Sequence, residues 1–90
     1  MKRFHLFVSG IVQGVGFRWY TRDICRNLGL GGWVKNLSNG NVEIVVEGEE
    51  DLLNEFLLRL KDGYLGKNIE KIDITEEEYK GEFKDFGIKF

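Results

Sequence analysis

Apolar and polar residues alternate from the start of the chain. Across RFHLFVS, Phe4, Leu6 and Val8 fall on one face and Arg3, His5, Phe7 and Ser9 on the other, the period of two that a half-buried strand requires. Gly10 interrupts the pattern. Beyond GIVQGVG the period lengthens: Phe17, Tyr20, Ile24 and Leu28 recur at helical spacing, Arg22, Asp23 and Arg26 fill another arc, and the helix is predicted to end near Gly29. GWVKNLS predicts a second strand. Ser38-Asn39-Gly40-Asn41 contains an Asn-Gly turn signal, and VEIVVEG alternates at Val42, Ile44 and Val46, so the second and third strands form a hairpin. Glu49, Glu50 and Asp51 put negative charge where a helix N-terminus favours it, ahead of an apolar stripe at Leu52, Leu53, Phe56, Leu57 and Leu60 that ends near Gly63. Ile69, Ile72 and Ile74 mark a fourth strand, and Phe86, Ile88 and Phe90 a short fifth.

The order βαββαβ plus a short C-terminal strand predicts an α+β fold, a ferredoxin-like split βαβ sandwich with an antiparallel sheet and two helices on one face, residues 1–90 forming a single domain. In this topology the first and second strands run parallel with the third inserted between them. The loop from Gly10 to Arg18 and the late second-strand residue Asn36 are therefore expected to converge at one edge of the sheet, where ligands bind in many α/β folds.

Composition narrows the class without changing that picture. With 42% hydrophobic and 31% charged residues the chain is an ordinary globular protein, long enough at 90 residues for one core. No apolar run approaches the roughly 20 residues of a membrane span, and MKRFHL lacks a secretory signal pattern, so no membrane association and a cytoplasmic location are expected. The one cysteine, Cys25, has no His or Cys at ligand spacing, so it forms no zinc site by itself, and it is read as a small core or boundary residue of the first helix. The net charge of -2 divides unevenly: residues 1–48 carry six Lys/Arg against three Asp/Glu, and residues 49–90 seven against twelve. The acidic total argues against nucleic acid as a partner, while the basic first half suits a small anion.

The candidate chemistry lies in QGVGFR, residues Gln13, Gly14, Val15, Gly16, Phe17 and Arg18, between the first strand and the first helix. Glycines at such a junction let successive backbone N–H groups turn inward as an anion nest, to which the helix dipole adds positive potential. Arg18 supplies a planar fork of donors for two phosphate oxygens. An isolated Gly-x-Gly is more often a structural turn, and two better-known loops are excluded: the dinucleotide fingerprint needs glycine where Trp19 stands, and no Lys-Ser/Thr pair follows as a Walker loop demands. A thiolate phosphatase would need Cys-x5-Arg, but the residue six after Cys25 is Gly31.

GIVQGVGFR, Gly10 to Arg18, and GWVKN, Gly32 to Asn36, resemble in order and separation the two signatures of the acylphosphatase family, and the likeness extends to length and element order. The resemblance implies that the loop binds phosphate, Arg18 anchors it and Asn36 holds the attacking water, with no metal, no cofactor and no covalent intermediate. It implies a small-molecule acyl phosphate as substrate and inorganic phosphate as product; a monomer is expected. Many members carry Gly-Pro after the second helix, where this chain reads Asp62-Gly63-Tyr64 and has no proline.

The residue chemistry points the same way. A hydrolase without paired carboxylates, a metal cluster or a placed histidine needs an easily expelled leaving group, and the carboxylate of an acyl phosphate, with a conjugate-acid pKa of about 4, needs no general acid. His5 is read as a solvent-facing or edge histidine, Trp19, Tyr20 and Trp33 as core or rim packing, and Glu76 to Glu82 as a solvated strand end and loop. An RNA-recognition motif shares the topology, but its aromatic signature belongs on a central strand, whereas GVGFRWY spans a loop and a helix start. A non-catalytic sensor of phosphorylated metabolites would differ only in turnover.

Overall fold

Residues 1–90 are described by a computed structural model in which the expected elements appear in order. They are β1 (Lys2–Gly10), α1 (Phe17–Asn27), β2 (Gly31–Asn36), β3 (Val42–Gly48), α2 (Glu50–Asp62), one turn of 3-10 helix (Gly66–Asn68), β4 (Ile69–Glu77) and β5 (Phe86–Lys89). The alternation read from the sequence becomes the two faces of one sheet, ordered β4-β1-β3-β2-β5. β3 pairs antiparallel with β1 and with β2, and the facing residues Leu6, Ile44 and Val34 form a fully buried row beneath the helices. Phe17 and Cys25 of α1 and Leu53, Phe56 and Leu60 of α2 close the core from above. Tyr20 joins the two helices, its hydroxyl donating to the carbonyls of Leu60 at 2.7 Å and Arg59 at 3.1 Å and so satisfying the C-terminal turn of α2.

β5 departs from the expected all-antiparallel sheet, because it runs parallel to β2, from Gly32 opposite Phe86 to Lys35 opposite Lys89. The cause is topological. β4 and β5 occupy opposite edges, so residues 78–85 must cross about 19 Å of sheet at the usual strand spacing, within a reach of about 26 Å. So short a link has no length to return along the strands. It crosses at the end where β4 finishes, which makes β5 antiparallel to β4 and hence parallel to β1 and β2.

This crossing segment is held to the open face of the sheet. Glu47, almost fully buried, accepts the backbone N–H groups of Lys80 at 2.8 Å and Gly81 at 3.2 Å. Arg3, also buried, donates to Glu82 at 2.9 Å, lies 3.5 Å from Glu47 and sits over the Phe83 ring. Its Nε is 3.4 Å from Glu77 but not aligned for a hydrogen bond. The acidic run from Glu76 to Glu82 is therefore exposed, as expected, yet two of its carboxylates, Glu77 and Glu82, face Arg3.

His5 lies beside this cluster and not in bulk solvent. Its Nε2 is 2.6 Å from Glu43 of β3 and its Nδ1 2.8 Å from Glu77 of β4, so one ring links three adjacent strands. Partial burial pulls the imidazolium towards neutrality, but the hydrogen bonds to Glu77 and Glu43 outweigh it and raise the pKa above the ordinary value; the same contact holds Glu77 below the ordinary carboxylate range. Stability from the raised histidine is complete below its unfolded value of about 6.5 and lost as pH rises through the higher folded value. The Glu77 contribution is present above a pKa of about 4.3 and lost as pH falls through the depressed one. The stability difference between the wild type and His5→Gln, measured by urea denaturation, should be largest at about pH 6 and shrink towards about pH 9. A constant difference over that range would contradict the clip.

Candidate active site

β1 and β2 run parallel, and their C-terminal ends reach the same edge of the sheet. From the end of β1 the chain turns through residues 11–16 into α1 without forming regular structure. Gly14 and Gly16 hold φ at +76° and +81°, the left-handed region that side chains disfavour, and a Cβ on either would meet no atom within 4 Å. Glycine is required here for backbone conformation and not for lack of space. Gly16 caps α1 without a side-chain hydrogen bond, and the first turn carries no acidic residue. The first helical bond runs from Tyr20 N–H to the Gly16 carbonyl. None of the backbone N–H groups from Gln13 to Trp19 donates to any protein acceptor. A row of free amides thus meets the positive end of a helix dipole with no carboxylate opposing it.

Arg18 emerges from the first turn of α1 at this edge. Arg3, Arg22, Arg26 and Arg59 each pair with a carboxylate, at 2.9, 3.0, 3.2 and 3.0 Å respectively; Arg18 alone among the arginines has no such partner. Its guanidinium lies 4.7 Å from the centre of the exposed Phe90 ring, leaving its N–H fork unpaired. Arg22 sits over Trp19 and bonds Asp23, whereas Arg26 donates to the Phe86 carbonyl at 2.9 Å and pairs with Asp85. The three arginines follow one another at helical spacing, but only the first is uncommitted.

Asn36, the last residue of β2, falls on the helix-side face with Val34. Its Oδ1 is buried and has no hydrogen-bond partner within the protein. Buried acceptors are normally satisfied, so the orphan marks a group fit to bind a small donor such as water. The loop and the strand end meet through Gln13, whose Nε2 donates to the carbonyls of Leu37 at 2.7 Å and Asn41 at 2.8 Å.

The other expected site residues divide by atom. Phe17 is buried to 1% exposure against Tyr20, so it offers only its amide; Val15 is exposed at the loop tip. Trp19 is half-exposed under Arg22 and Trp33 stacks beneath Lys89, so both are rim residues, while Tyr20 is core. Cys25 is fully buried and burial pushes its thiol well above the ordinary range, leaving it unreactive. A separate open groove of about 360 Å³ is lined by Lys61, Gly66, Ile69, Glu70, Lys71 and Ile72. It shares no residue with the loop or Asn36 and holds no histidine, cysteine or buried unpaired polar atom, so the free amides and not this groove mark the candidate site. The sequence did not reveal Phe90 beneath Arg18, nor the bonds made by Gln13 and Arg26, since each depends on a partner distant in the chain.

A split βαβ sheet that presents free loop amides and an uncommitted arginine at its parallel strand ends is a small α+β domain with an edge suited to a small anion. Comparison with known proteins narrows this. The Acylphosphatase family model matches residues 4–88. The chain is 39% identical to an acylphosphatase of Syntrophobacter fumaroxidans over 99% of its length and 92% of that protein's, and 43% identical to one of Syntrophus aciditrophicus over 100% and 94%. The crystal structure of acylphosphatase from Bacillus subtilis superposes with a TM-score of 0.92 at 36% identity, each chain covered in full. The chain belongs to the acylphosphatase family, hydrolases that act on acid anhydrides.

The contrast among the α1 arginines is open to test. Inorganic phosphate should raise the Tm of the wild type, and Arg18→Ala should change unfolding free energy by less than about 0.5 kcal/mol, its one side-chain neighbour being an exposed ring, yet abolish that rise. Arg26→Ala should lower Tm through loss of its bonds to β5 and keep the phosphate response. Thermal denaturation with and without phosphate reads both; a full phosphate response in Arg18→Ala would remove Arg18 from the site.

Proposed function

We propose that the chain hydrolyses the carboxyl-phosphate bond of acyl phosphates by direct attack of water on phosphorus. The observation that carries this reading is the run of unpaired amides from Gln13 to Trp19 beside an arginine without a counter-ion. In this reading the loop amides cradle the phosphoryl oxygens and Arg18 grips two of them, stabilising the charge that spreads over them in the transition state. The orphaned Oδ1 of Asn36 accepts a hydrogen from the attacking water and sets its line of approach.

The bond from phosphorus to the acyl oxygen breaks as the bond from the water oxygen forms, and the carboxylate leaves with the electron pair. Asn36 is no base, and both ring nitrogens of His5 face carboxylates elsewhere on the sheet, so the water's proton passes to a phosphoryl oxygen. The products are carboxylate and dihydrogen phosphate, with charge conserved. This economy of groups sets the substrate class. A phosphate monoester expels a strongly basic alkoxide, and no acid is placed to protonate it, so acyl phosphates should turn over while monoesters hardly react.

No step of this reading is routed through a metal ion. Phosphate release from an aromatic acyl phosphate should therefore proceed at the same rate in a chelator. A reversible loss there, or equal rates on a monoester, would overturn the reading. Asn36→Ala should lower kcat by roughly 10² to 10³, the scale of one lost transition-state contact, while inorganic phosphate still binds. Unchanged kcat with weakened phosphate binding would move Asn36 from water to phosphate.

A further inference from the structure

The side chain of Gln13 turns away from the phosphate loop that contains it. Its amide nitrogen meets the carbonyls of Leu37 and Asn41 at 2.7 and 2.8 Å, and these are the two ends of the β2–β3 turn, itself closed by a 2.8 Å bond from Leu37 N–H to the Asn41 carbonyl. We infer that Gln13 is a positioning residue that locks the Asn36 end of β2 to the phosphate loop and so fixes the line between the held water and phosphorus. The inference rests on the roles proposed above for Asn36 and the loop.

The need for such a lock follows from the sheet. β1 and β2 are not neighbours, because β3 lies between them, about 10 Å across two strand spacings. Both ladders end at one residue, Val42, which faces Val8 of β1 and Asn36 of β2. Past that rung the ladder holds neither the loop from Ile11 to Gly16 nor the turn from Leu37 to Asn41, and the two would shift independently. Gln13 bridges them beyond the end of β3. Both hydrogens of its amide are used, one on each carbonyl, and the second carbonyl belongs to the residue before the last rung. Holding Leu37 holds the residue directly after Asn36.

The bond pattern is selective for glutamine. Glutamate has the same length but would set carboxylate oxygens against two carbonyl oxygens; asparagine is a methylene too short to meet both; alanine leaves both carbonyls without the donor. Displacement of a reacting group by about 1 Å costs on the order of 10²-fold in rate, so a lost brace should appear in kcat before it appears in phosphate affinity.

A double-mutant cycle tests the inference: kcat on an aromatic acyl phosphate and inhibition by inorganic phosphate for wild type, Gln13→Ala, Asn36→Ala and the double variant, with Gln13→Glu as the shape-preserving control. Gln13→Ala and Gln13→Glu should each lower kcat roughly 10- to 100-fold, with the phosphate inhibition constant changed far less. If Gln13 acts through Asn36, the double variant should be no slower than Asn36→Ala alone. Fully multiplicative losses, a wild-type kcat in both Gln13 variants, or a loss confined to phosphate affinity would each overturn the brace. Should Gln13→Ala lose its folded circular dichroism spectrum, Gln13→Asn takes its place in the cycle under the same criteria. An Asn36→Ala variant with normal kcat would instead sink the role of Asn36, and that result is distinct because it does not involve Gln13.

Discussion

The antiparallel pairing of β3 with both β1 and β2 is the constraint on which the rest of the molecule depends. Pairing in that sense on both sides makes β1 and β2 parallel, and only parallel strands bring the loop after one and the end of the other to a single edge. Register matters as much as direction. Leu6, Ile44 and Val34 face one another under the helices, and two residues on from Val34 the same face receives Asn36. A slip of one residue would turn Asn36 to the open face, away from the side on which α1 begins. The hydrophobic row that stabilises the sheet therefore also aims the amide side chain. Core and site are fixed by one set of contacts.

Charge is distributed to the same effect. At the far end of the sheet Arg3 is met by Glu47, Glu77 and Glu82, His5 by Glu43 and Glu77, and the amides of Lys80 and Gly81 by Glu47. Positive groups there have partners. At the loop end the amides, the helix terminus and Arg18 have none, although the chain as a whole is acidic. A buried acceptor without a partner, such as Asn36 Oδ1, costs about 1–3 kcal/mol. The candidate site is thus assembled from groups without local partners, and the compensated network at the opposite end joins the strands that carry them.

Much of this was legible in the sequence, because period and punctuation are local signals. Alternation fixed the faces of β1 and β3, the stripe at Leu53, Phe56 and Leu60 fixed the buried face of α2, and Gly14 and Gly16 stand where positive φ is needed. The convergence of Gly10 to Arg18 with Asn36 followed from element order alone. What escaped were facts about which distant groups meet. Nothing near His5 names Glu43 and Glu77 as its neighbours, and nothing in GIVQGVGFR shows that the Gln13 side chain bonds a distant turn while its neighbours' amides bond no protein acceptor. The direction of β5 escaped for another reason. A strand of four residues carries no mark of its partner, and its sense is decided by the length of the segment before it.

That parallel sense bears on why Arg18 differs from the arginines that follow it. α1 runs against β5, so residues ascending one element meet residues descending the other. From Arg26 back to Arg18 is two helical turns, about 12 Å of axis, and from Phe86 to Phe90 in an extended chain is about 13 Å. The match lets Arg26 bind the Phe86 carbonyl while Arg18 reaches the Phe90 ring. An aromatic face steadies a guanidinium from one side without occupying its N–H groups, whereas a carboxylate would have used the fork that the proposed phosphate contact requires. Had β5 run antiparallel to β2, Asp85 would lie at the loop end and could pair with Arg18 as it now pairs with Arg26. The short crossing of the sheet thus keeps an acid away from the one arginine that has no carboxylate partner.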